Sequence, residues 1–111
     1  MEDYDFRRVS VTALVPAFAR GEYTKIPWAK EMLAVLRDRG ATLSGGPWSE
    51  QDTRDYASLF EARFRAVGRL VEEKGATQVL ELAAGLSPRG IALAQRGVAY
   101  VEADLPESTT L

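Results

Sequence analysis

The chain has 111 residues, 46% of them hydrophobic and 27% charged, with a formal net charge of −2. That length makes one domain at most, and the balance is that of a folded chain with no charge excess to attract nucleic acid or an anionic membrane. Neither cysteine nor histidine occurs, which excludes disulfides, thiolate metal sites, cysteine nucleophiles and histidine-based triads. No apolar run approaches the ~20 residues that cross a bilayer, and the start, "MEDYDFRR", is too polar for a signal peptide. A cytoplasmic location, with no nucleic acid, membrane or metal as partner, is the expectation.

The pattern to about Gly75 predicts helices. "SVTALVPAFARG" offers Ser10 or Thr12 as a cap, Pro16 as a kink or boundary, and Gly21 just past its end. "IPWAKEMLAVLRDRG" places Pro27 in a first turn, with Trp28, Met32, Leu33, Val35 and Leu36 at helical spacing. It closes on Arg37, Arg39 and Gly40, as a helix C-terminus favours. "ATLSGGPWS" reads as a loop. Ser49, with Asp52 three residues on, caps a long helix. Its apolar positions Tyr56, Leu59, Phe60, Phe64, Val67, Leu70 and Val71 recur every three or four residues, and Gly75 stops it.

The last third changes character. "TQVLELAA" reads as a short buried strand, "SPRGIALAQRG" as a helix with Pro88 in its first turn, and "VAYVEADLP" as a strand stopped at Pro106. Strand, helix and strand within about thirty residues make a βαβ unit, which needs a parallel sheet. Two parallel strands do not make a stable sheet alone. The expectation is therefore the front of a longer α/β protein, with self-association through the exposed sheet edge and a partly molten isolated chain.

The first strand leads into a turn that raises a chemical question. In "QVLELAAGLSPRG", Gly85 lets a ligand approach the backbone, and the following helix should present free N–H groups. Glu102 and Asp104 follow Gly85 by 17 and 19 residues, at the second strand's end, where acids accept hydrogen bonds from ribose hydroxyls. Glu81, just before the turn, disfavours a pyrophosphate and suits a ligand with a cationic or amine group. S-adenosylmethionine has that chemistry and no phosphate. The plainer reading makes Glu81 a solvent-facing strand acid and "AAGLS" an ordinary strand-to-helix turn.

These residues carry a resemblance. "QVLELAAGLSPRG" followed by "YVEADLPE" resembles class I S-adenosylmethionine-dependent methyltransferases. It is most similar to the leucine carboxyl methyltransferase superfamily and its polyketide-tailoring O-methyltransferase relatives. "TALVPAFARGEYTKIPWAKEML" and "EARFRAVGRLVEEKGATQVLELAAG" resemble the helices ahead of that family's first strand. The resemblance implies an α/β fold in which N-terminal helices precede the first βαβ unit of a Rossmann-like sheet, the domain being incomplete. Residues 1–75 would be a helical region able to act as a cap or lid, and 76–111 the truncated start of the cofactor domain. Ala83 and Ser87 stand where the family has glycines, and both are expected to be tolerated.

By the resemblance, Gly85 and Ala83 take the cofactor's methionine portion, Asp104 its ribose hydroxyls and Arg63 its carboxylate. Glu81 takes the amino group or holds the loop. Arg63 reads equally as a solvated cation beside Glu61 or Asp55, and Arg89 as a surface residue of a first turn. Trp28, Trp48 and Tyr23 read as packing residues. The reaction would be methyl transfer to a carboxyl or hydroxyl oxygen of a small-molecule acceptor. Catalytic residues would lie beyond Leu111, leaving the chain inactive by itself. Two alternatives stay open: another nucleotide-binding Rossmann protein, or a non-catalytic remnant or interaction module of the same fold.

Overall fold

The computed structural model of the chain describes Val9, residues 11–43 and residues 49–109. The acidic start, the Ser10 cap, the glycine-rich centre of the predicted loop and Trp48 lie outside these described residues. Three helices come first: α1 (Val11–Tyr23), α2 (Ala29–Asp38) and α3 (Glu50–Glu73). Then follow β1 (Gln78–Leu82), α4 (Arg89–Ala94), β2 (Ala99–Ala103) and a short α5 (Pro106–Thr109). β1 and β2 pair in parallel with Gln78 opposite Ala99 and Leu82 opposite Ala103, so the chain is α/β with a small two-stranded sheet.

Local chemistry explains most boundaries. Ser49 and Asp52 form a reciprocal capping box, with Asp52 N–H on Ser49 Oγ at 3.1 Å and Ser49 N–H on Asp52 Oδ2 at 2.9 Å. Those bonds from Ser49 hold the Asp52 carboxyl below its ordinary value. Gly75 follows α3 at φ +61. Pro106 opens α5 instead of only stopping the strand, because a proline lacks just the N–H that a first helical turn leaves unpaired.

Two further boundaries and one pattern of burial differ from expectation. α1 runs past Gly21 to Tyr23, and Gly21 is an interior contact point: a Cβ there would lie 2.5 Å from Leu33 Cδ2 on α2. Pro27 precedes α2 instead of entering its first turn, and Trp28 takes the N-cap position at φ 69. The third difference concerns burial. Of the stripe predicted to pack on α3, Tyr56, Leu59, Val67 and Leu70 are 44–56% exposed, and the helix buries only Thr53 and Ala57. At 1.5 Å per residue, 24-residue α3 outruns 13-residue α1, its main helical neighbour, so the stripe continues past its cover.

The core lies among α1, α2 and the turn after β1. Leu14, Ala17 and Phe18 of α1 meet Leu33 and Leu36 of α2 and Leu86 of the turn. The sheet contributes little to it. One face, carrying Leu80, Leu82 and Val101, is 60–71% exposed. The opposite face carries Val79 and Glu81 beside Tyr100 and Glu102. Gly90 brings α4 onto that face, since a Cβ there would lie 2.8 Å from Glu102 Oε1 and 2.9 Å from Tyr100 Cδ1. Close helix-on-strand contact of this kind requires glycine.

The turn itself carries strain. Ala83 sits at φ +53 and Gly85 at +59. Alanine pays a steric penalty of about 1–2 kcal/mol in the left-handed region, offset in part by the entropy glycine would lose. Ala83→Gly is therefore expected to stabilise the chain by about 1 kcal/mol, raising the thermal midpoint by roughly 4 °C. A scan showing no rise would mean the turn has relaxed around its alanine.

Candidate functional site

A cleft of about 380 Å³ opens where the turn after β1 meets α1 and α3. Its size falls within the range of small-molecule sites. Arg63, Glu81, Ala83 and Gly85, four of the five residues singled out in the sequence, line it together. Two further arginines join them, Arg20 from α1 and Arg89 from α4.

Glu81 owes its place in the strand to these neighbours. Its Oε1 accepts from Arg89 Nη1 at 3.0 Å, with the side chains 17% and 11% exposed. Its other oxygen accepts from the Tyr100 hydroxyl on β2. Burial, then the bond to Glu81, pushes the Tyr100 phenol well above its ordinary range. So Glu81 is not a solvent-facing acid, and Arg89 is not a surface residue. The Arg89 guanidinium lies 4.4 Å from the Phe64 ring centre and donates to the Phe64 carbonyl at 3.2 Å. Charge, cation–π attraction and a backbone acceptor outweigh the cost of its burial.

Arg20 carried no signal in the sequence. It donates to the Leu86 carbonyl, 66 residues away, at 3.3 Å. Its pKa falls to about 10, because burial and then the nearby Arg89 disfavour its charge while Glu81 offsets them. The Nε–H groups of both Arg20 and Arg89 are buried with no acceptor. Three arginines thus line a cleft whose one carboxylate is itself engaged on both oxygens. Arg63, on exposed α3, stands at the rim. Its neighbour Glu61 pairs instead with Arg65 at 3.8 Å and accepts from Lys25 N–H at 3.1 Å.

Asp104 lies outside the cleft wall and holds the turn. Its Oδ2 accepts the Gly85 N–H and its Oδ1 the Leu105 N–H, both at 2.6 Å. Each oxygen keeps a second lone pair for a ligand. Gly85 is needed first for its conformation: a Cβ there would meet Ala13 at 3.6 Å, an ordinary contact. The free N–H groups expected at the next helix are curtailed as well. α4 has six residues, and Ser87 Oγ accepts the Arg89 N–H at 3.3 Å. Glu102, beside Glu81 in the register, has its carboxyl raised by partial burial and then by that neighbouring charge.

Among the described residues no group of acids could hold a metal ion, and no helix is long and apolar enough to cross a membrane. Comparison with protein-family models, curated proteins and solved structures yields no match.

Proposed function

We propose that the chain binds S-adenosylmethionine in this cleft, as the cofactor half-site of an O-methyltransferase built on the first βαβ unit of a Rossmann-like sheet. One observation carries the reading: three arginines line the cleft beside the turn after β1, with a single, fully engaged carboxylate among its walls. The excess of guanidinium over carboxylate in the cleft wall fits an anionic ligand end, and the cofactor's carboxylate is such an end. Asp104, outside the cleft wall, fixes the turn through the Gly85 N–H. Glu81 keeps Arg89 in place and is the positioning residue of the cleft.

When bound, the cofactor supplies an electrophilic methyl group for a carboxyl or hydroxyl oxygen of a small acceptor. The chain's residues bind and orient the donor, and alignment of this kind accounts for much of the rate of such transfers. The test is calorimetry with S-adenosylhomocysteine and with 5′-methylthioadenosine, which lacks the amino-acid end. The chain should favour the former at least tenfold, and Arg63→Ala, at an exposed position, should erase most of that preference. Equal affinity for both compounds, or no binding of either, would refute the reading.

A further inference from the structure

A second cavity, of about 530 Å³, borders the same turn and shares Gly85, Leu86 and Ser87 with the arginine-lined cleft. Its walls differ in chemistry. Trp28, Met32 and Val35 line it from the α2 side and Ile91 from α4, while Glu31 and Glu102 supply its carboxylates. Trp28, Val35 and Ile91 are 38%, 52% and 40% exposed, so apolar surface faces open space here.

Trp28 is held there against its backbone preference. A bulky residue at φ 69 and ψ −4 occupies a region that glycine favours. Its indole N–H donates to Gln95 Oε1 at 3.2 Å, which ties the ring across to the end of α4. Strain of this kind persists only where the surroundings impose it, and it concentrates at ligand sites. Arg39 also lines the cavity, leaving two carboxylates against one guanidinium, so an anion is disfavoured.

The geometry points to a second ligand site: the cavity binds a neutral, planar apolar molecule whose hydroxyl donates to a carboxylate of its wall. The indole and aliphatic walls take the ring. Glu102 presents its carboxylate to this cavity from β2, on the strand face it shares with Glu81. This goes beyond the cofactor reading, and its test needs no cofactor, so the two fail separately.

Calorimetry with 2-naphthol and with 2-naphthoate decides the matter. The chain should bind 2-naphthol saturably and 2-naphthoate at least tenfold more weakly. Val35→Asp, at an exposed position on α2, should weaken 2-naphthol at least tenfold with circular dichroism unchanged. Leu70→Asp, on exposed α3 and outside the cavity wall, should leave it unaltered. Unsaturable binding, equal affinity for the carboxylate, or indifference to Val35→Asp would overturn the proposal. So would equal loss in Leu70→Asp, which would show general adhesion to apolar surface.

Discussion

Glu81→Leu should cost the chain about 3–5 kcal/mol, the scale for removing one partner of a buried ion pair. The loss is large because the Glu81 carboxylate serves more than one group. It pairs with Arg89, accepts from Tyr100, and lowers the cost of the Arg20 charge. Without it, two guanidinium groups stay buried side by side and a phenol loses its acceptor. Since a domain of this kind has roughly 5–15 kcal/mol in total, the variant should unfold at much lower urea. Glu81→Gln, which keeps an acceptor but not the charge, should lose less. The double variant Glu81→Leu, Arg89→Leu should recover part of the loss, since it leaves no unpaired Arg89. A urea midpoint for Glu81→Leu close to that of the unmodified chain would contradict this account of the strand acid.

Asp104→Ala is the second large effect. Asp104 accepts two backbone N–H groups, from Gly85 and Leu105, and hydrogen bonds to a charged group are worth about 1.5–3 kcal/mol each. The Leu105 bond lies at an exposed position and counts for less. The expected loss is about 2–4 kcal/mol, with hydrogen exchange at the Gly85 amide accelerated more than in the α1–α2 core. Asp104→Asn, retaining one carbonyl acceptor, should lose roughly half as much. Unchanged exchange at Gly85 in the alanine variant would mean that Asp104 does not hold the turn.

The features legible in the sequence are those set by neighbours along the chain. The Ser49–Asp52 capping box, the α3 stop at Gly75 and the strand–helix–strand order all follow from spacings of a few residues. Arg63 was set beside Glu81, Ala83 and Gly85 by the family resemblance and not by spacing, and these four residues line one cleft. What stayed hidden depends on distant approach. Arg20 gains its role only because α1 lies across the turn, and Arg89 is buried by Phe64, Glu81 and Tyr100 from three different elements. The exposure of the α3 stripe was equally invisible, since periodicity marks an apolar face without showing how far its partner extends. Gly90, adjoining the quoted loop, carries the close helix-to-strand contact, and "PRG" before an apolar run was its one signal.

The central claim is that the arginine-lined cleft beside Ala83–Gly85 is a cofactor site, and amide and arginine Nε–H chemical shifts test it most directly. On titration with S-adenosylhomocysteine, shifts should concentrate at Ala83, Gly85 and Leu86, and at the Nε–H group of Arg63, which lines the same cleft at an exposed position. Shifts absent from these groups, or confined to the exposed sheet face of Leu80, Leu82 and Val101, would contradict it.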